Sequence, residues 1–165
     1  MTAPKSTTKG FSLIELLIVV AIIGITATIA IPNLLSARRA ANEAGATSTM
    51  RLLTNAQYTY RATSIMNVFA GSLNELALGS GVIDQQLATG LKSGYTFDTQ
   101  RLAPVAGQPE RFDSAGSPLL ATGLAATGNR YFYCNEAGAI YGGSGSLPTA
   151  DPLTRIISNG NPIGN

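Results

Sequence analysis

Apolar positions run almost unbroken from Leu16 to Ile31, and the stretch from Phe11 to Ile31 carries one charge, Glu15. A segment apolar on every face suits a helix held in lipid or in the centre of a bundle. As a helix it would span about 31 Å, enough for a hydrocarbon core of about 30 Å. From Arg38 the pattern changes: Ala46, Met50, Leu53, Gln57 and Tyr60 recur at three- and four-residue spacing, with Gln57 as the one mismatch. Residues 11–63 therefore read as one helix about 80 Å long. Its segment 11–37 is membrane- or bundle-like and its half at 38–64 is amphipathic. Pro32 removes a backbone donor and crowds the carbonyl of Thr28, which predicts a kink, and Gly24 with Ile25-Thr26 weakens the helix upstream. Glycine and proline are also common in membrane helices, so the pair has a bland explanation as well. Ala40, Ala41, Ala44, Gly45, Ala46 and Ser48 allow close approach of either a neighbouring helix or a sheet, and Arg39 with Glu43 forms an i,i+4 pair in the weaker orientation.

Residues 65–92 read as a connecting region with two short helices. Ser72-Leu73-Asn74-Glu75 is a capping box, with Gly79 as the stop. Asp84 caps a second turn from Gln85 to Thr89, stopped by Gly90. Residues 93–165 read as an antiparallel head with an irregular tail. Tyr95 and Phe97 alternate with polar neighbours, and Arg111-Phe112-Asp113 is a shorter strand before Gly116. Arg130 to Cys134 is the clearest strand; it turns at Asn135-Glu136-Ala137-Gly138 and returns through Ala139-Ile140-Tyr141. Period two puts Phe132 and Cys134 on one face and Tyr131 and Tyr133 on the other. Phe132 is expected against the amphipathic helix. The tyrosines are expected exposed, as strand formers with wet hydroxyls or as a binding surface. The tail from Gly142, rich in Gly, Pro, Ser and Asn, reads as a loop of low order. The fold class is α+β: a long N-terminal helix, kinked near Pro32, packed against a small antiparallel β-sheet.

Glu15 is the chemically expensive residue. An acid at mid-bilayer costs about 2.5–3.5 kcal/mol on insertion scales, and such residues usually mark function. Its position near one end lowers that cost without removing the need for a partner. Cutting the chain between Gly10 and Phe11 would create one, the α-amino group of Phe11. Within one helix this amine can barely curl back. Between copies stacked with an axial offset, amine and carboxylate could meet in an apolar medium that strengthens their attraction, making Glu15 a register pin for a polymer. Ser12-Leu13-Ile14-Glu15 is also a capping box, with Phe11 and Leu16 as its hydrophobic staple. On that reading Glu15 only satisfies amides at a helix start.

The Gly10-Phe11 junction, Glu15, the apolar run through Gly24-Ile25, Ile31-Pro32-Asn33 and the short basic leader with Lys5 and Lys9 together resemble the class III signal of type IV pilins and type II secretion pseudopilins. The resemblance is close over residues 5–45. It implies that residues 1–10 are a leader removed after Gly10 by a prepilin peptidase, and that Phe11 is then N-methylated. It implies that Glu15 contacts the Phe11 amine of a neighbouring subunit in a helical filament. It also implies that the stretch between Gly24 and Pro32 can lose its helical form on assembly. In this family residues matching 65–92 are a surface loop, used for subunit contacts or outer display. The implied partners are further copies of the chain, the peptidase and methyltransferase, an assembly ATPase, a platform protein and an outer-membrane secretin. The implied location is the inner membrane, as a single pass with a cytoplasmic N-terminus, and then the cell surface. Charge alone sets orientation poorly, since Lys5 and Lys9 are balanced by Arg38 and Arg39. The related alternative is a pseudopilin forming a secretion piston. A rival of another class is a monomeric, membrane-anchored binding module. A conventional secretory signal would have to be cut at Thr28-Ile29-Ala30, ahead of Ile31-Pro32 and with Glu15 inside its apolar run, which fits poorly.

Composition narrows the chemistry. The 165 residues carry 11 Lys plus Arg against 9 Asp plus Glu. Without the leader lysines the charges balance, which does not suggest nucleic acid as the primary ligand and reduces repulsion between copies. One cysteine, Cys134, rules out an internal disulfide. It reads as a small buried hydrophobe, so the head must hold by packing and hairpin bonds. Histidine is absent, which removes the commonest general base and metal ligand. The acids are spread singly, and no phosphate loop, metal-ligand cluster or nucleophile–base pair is visible. No catalysis, cofactor or metal is expected, and Asp151 alone is thin support for calcium. Mature protein should begin at Phe11; intact mass spectrometry that found Met1 retained, or a cut near Ala30, would reject the processing expectation.

Overall fold

The computed structural model describes residues 10–105 and 107–164. The expected leader, apart from Gly10, lies outside these residues. The chain divides into two compact units, Met1–Ser36 and Ala37–Asn165. One helix, α1 (Leu13–Thr63), supplies residues 13–36 of the first and 37–63 of the second. It passes Gly24 and Pro32 without a break. Its large apolar side chains from Leu13 to Leu34 are exposed, as expected of a segment that its own chain does not cover.

The second unit adds α2 (Leu73–Ser80), α3 (Gln85–Ala88) and eight strands. The strands are β1 (Leu91–Lys92), β2 (Tyr95–Arg101), β3 (Phe112–Pro118), β4 (Arg130–Asn135), β5 (Ile140–Ser144), β6 (Thr149–Ala150), β7 (Ile157–Ser158) and β8 (Asn161–Ile163). Six form one antiparallel sheet in the order β1-β2-β3-β4-β5-β8, and β6 pairs with β7. Alternation sets the core face. Tyr95, Phe97, Phe112, Phe132, Cys134 and Ile140 are buried with Ala46, Met50, Leu53 and Ala56 of α1. The helix packs on the sheet closely. A Cβ at Gly116 would lie 3.0 Å from Phe97 Cε1 and 3.4 Å from Met50 Sδ, so β3 runs on through Gly116 as a site of close approach, past the expected short strand at Arg111-Phe112-Asp113.

The region 65–92 is more than surface loop. Phe69, Ala70, Leu73, Leu76, Ile83 and Leu87 all enter the core. Ser72 caps α2 by accepting from Glu75 N, while Glu75 Oε2 accepts from Gly71 N at 2.8 Å. The stop falls at Gly81, in the left-handed conformation at φ 63°, and Gly79 stays helical. Asp84 caps α3 through Leu87 N as expected, and Gly90 follows at φ 82°. The Tyr60 hydroxyl donates to Glu75. That hydrogen bond, with the one from Gly71, holds the Glu75 carboxyl below its usual range.

Polar residues do more of the fastening than periodicity suggested. Gln57, the mismatch on the amphipathic face, is fully buried. Its amide donates to Ala70 O at 3.2 Å and Thr99 Oγ1 at 2.8 Å, and accepts from Ala70 N at 2.9 Å, joining α1 to the connecting region and to β2. The expected Arg39–Glu43 pair does not form. Arg39 donates to the carbonyls of Gly123, Leu124 and Ala126, and Glu43 Oε1 accepts from Asn129 N at 2.8 Å. A folded loop offers these side chains better-aligned partners than a weak exposed pair on one helix face. Of the small residues, Ala46 lies under the sheet, while Ala40, Ala41, Ala44 and Ser48 are exposed.

The tail departs furthest from expectation. It forms β6, β7 and β8, and β8 extends the main sheet. Arg155 locks it, at φ 58°. Its guanidinium donates to both oxygens of Glu136 at 2.7 Å, to Asp113 Oδ1 at 2.5 Å and to Phe112 O at 3.1 Å. The Arg155, Asp113 and Glu136 side chains are only 14%, 19% and 20% exposed. Burial works against the cation, but the bonds it donates to Glu136 and Asp113 outweigh this and hold Arg155 above its ordinary value. Tyr133 is therefore not exposed. It lies buried beside this cluster, donating to Asp113, and burial followed by that bond pushes its hydroxyl well above the usual tyrosine range. Two of the singly spread acids thus converge on one cation. Asp151 is also satisfied locally, accepting from Leu153 N and Thr154 N, and among the described residues no acidic cluster suited to a metal occurs. Cys134 is free and buried, as expected, and burial pushes its thiol up to about 11 against a hydrogen bond from Thr54.

Gln57→Ala should lower head stability by about 2–4 kcal/mol, because it strands the buried Ala70 amide and carbonyl; urea titration with an unchanged midpoint would reject this role. Arg155→Met should cost about 2–3 kcal/mol, less than for a fully buried pair, and should speed hydrogen exchange across β6 to β8. Unchanged protection there would show the clamp to be incidental.

Candidate processing and assembly site

The candidate residues cluster at the start of α1. Gly10 and Phe11 are exposed, and Ser12 directly precedes the helix. Ser12 N donates to Glu15 Oε2 at 3.0 Å, and Leu16 N donates to Ser12 O at 3.3 Å. This is the carboxylate half of a capping box. The Ser12 hydroxyl makes no matching bond to the Glu15 amide among the described contacts. Phe11 and Leu16, the expected staple, line one open apolar concavity with Leu13, Leu17 and Val20. In a single copy, then, Glu15 is partnered by its own chain at a helix start, where a negative charge also meets the helix dipole favourably. Among the described contacts the other carboxylate oxygen has no partner.

Gly24 and Pro32 lie within continuous helix and are accompanied by polar side chains that the sequence reading did not weigh. Thr26 Oγ1 donates to the carbonyls of Ile22 and Ile23 at 3.0 Å, and Thr28 Oγ1 donates to Gly24 O at 2.8 Å. Asn33 Nδ2 donates to Ile29 O at 3.1 Å. These side chains bond back to carbonyls three or four residues earlier in the helix, and among the described contacts none takes the Thr28 carbonyl that Pro32 leaves without its usual donor. The available signal was three hydrogen-bonding side chains inside or beside an otherwise apolar run.

The class is defined by a processing-type junction, an acid at the fifth position after it, and an exposed apolar helix leading into an α+β head. Residues 5–31 match the family described as the prokaryotic N-terminal methylation motif. Across 35 residues, 21% of this chain and 27% of the relative, the sequence is 69% identical to the type IV wide pilus major component PilA4 of Thermus thermophilus. Across 132 residues, 80% of this chain and 54% of the relative, it is 32% identical to the type IV major pilin protein PilA of Myxococcus xanthus. The chain spans about a quarter and about half of these curated relatives' lengths. No solved structure matches. The chain thus carries a prepilin-type N-terminus, and the relatives it resembles are type IV pilins.

Proposed function

We propose that this chain is the structural subunit of a type IV pilus filament, held first as a single-pass inner-membrane pool with its N-terminus in the cytoplasm and then extracted to the cell surface. The observation that carries the reading is the Gly10–Phe11 junction with Glu15 at the head of an apolar helix left uncovered by its own chain. A prepilin peptidase cuts after Gly10, and methylation follows on the Phe11 amine. The new cation of one subunit takes the carboxylate of Glu15 in its neighbour. In an apolar bundle a charge-assisted contact outcompetes the neutral Ser12 amide, because both charges gain from the low dielectric. Helix-on-helix burial of residues 11–37 fills the filament core, and the stretch from Gly24 to Pro32 opens as subunits are drawn in. The exposed Ala40, Ala41 and Ala44 permit close helix approach. An assembly ATPase, a platform protein and an outer-membrane secretin complete the machinery. The chain is a substrate of its processing enzymes rather than a catalyst. Both relatives are named as pilus components, which favours a surface pilus over a secretion piston.

Glu15→Ala should still insert and be cut at Phe11, but filament yield in sheared material should fall at least about tenfold, since a bare amine is then buried in the core. Undiminished filaments in electron micrographs would leave capping as the only role of Glu15.

A further inference from the structure

Large exposed apolar side chains on residues 37–165 are mostly scattered, but one loop concentrates them. Between β3 and β4, Leu119, Leu120 and Leu124 are 57%, 49% and 82% exposed. Residues 119–129 carry no charge. The loop is closed on itself: Thr127 N donates to Leu120 O at 2.8 Å and Leu120 N to Thr127 Oγ1 at 3.1 Å. It is also braced to α1 by Arg39, by Asn42 Nδ2 on Thr127 O at 2.8 Å, and by Glu43 on Asn129 N. The leucines are therefore held in place, and little ordering is left to do when they meet a partner. The bracing positions follow Ser36 by three to seven residues in the chain. Arg38, in the same stretch, is exposed and makes no ion pair among the described residues. Arg38 lies one helical turn before Asn42, Arg39 and Glu43 hold the loop itself, and Arg130 follows it directly in the chain, a net positive set in which the acid is already engaged by an amide.

We propose that this loop is a lipid-docking surface: Leu119, Leu120 and Leu124 enter the interface of an anionic bilayer and Arg38 meets its headgroups. Exposed leucines at an uncharged tip, backed by cations, are the chemistry of interfacial insertion. A contact with a second copy would use the leucines but would not need the positive surround. The inference rests on the membrane-held state proposed above.

The full chain in phosphatidylglycerol-containing vesicles tests it, with an environment-sensitive dye on Leu124→Cys. Buried Cys134 should stay unlabelled. Control labels sit on Val20→Cys, in the apolar helix, and on Ile65→Cys, just beyond the other end of α1. The Leu124 label should show blue-shifted emission and lose intensity to doxyl-labelled lipid, and the Ile65 label should not. The shift should shrink in vesicles of phosphatidylcholine alone and in Arg38→Gln. A water-like Leu124 label beside a lipid-quenched Val20 label would overturn this inference alone, as would shielding of Leu124 only in assembled filaments, which would assign the loop to a second copy. A water-like Val20 label would overturn the membrane-held state itself.

Discussion

A helix that is apolar on every face and uncovered by its own chain must be covered by something else. Residues 11–34 meet this condition, with leucine, isoleucine and valine side chains standing exposed along the first unit. The hydrophobic effect makes that surface unfavourable in water by an amount roughly proportional to its area. Lipid and neighbouring helices are two media that satisfy it, and the proposed pilus subunit would use both in turn. Glu15 belongs to the same constraint. Where apolar surface dictates burial, an acid survives only with a partner, and in the lone chain that partner is the Ser12 amide.

The head solves a different problem. It has a sheet, a half-helix and several loops to join, and only one cysteine. Three polar fasteners hold it: Gln57 joins the helix to the connecting region and β2, Arg155 ties the tail to β3 and the β4–β5 turn, and Arg39 braces the loop before β4. Each uses a long side chain to reach backbone or side-chain oxygens, buried for Gln57, part-buried for Arg155 and largely exposed for Arg39. A surface ion pair is worth little, whereas the groups around Gln57 and Arg155 are wholly or partly shielded from water, so losing one member there leaves a stranded polar group. That shielding makes Arg155 a substitute for the covalent clamp this chain cannot have.

Much of the architecture was legible along the chain because it is written in local periodicity. Phe132 and Cys134 share the core face by simple alternation, and Asp84 and Ser72 start their helices by side-chain bonds within three residues. What misled was composition read without partners. Tyr133 looked exposed because alternation says only which face it takes, not that Arg155 would cover that face. The tail looked irregular because its strands are two or three residues long, too short to show a period.

The sequence by itself determined the long helix, the place of its one acid and the inward face of each main strand, since these depend on spacing and side-chain chemistry over a few residues. Only the tertiary structure decided which polar residues are buried. Gln57 reaches Thr99 across 42 positions and Arg155 reaches Asp113 across another 42. Partners so far apart are brought within bonding distance by the packed helix and sheet, and no local pattern encodes the meeting.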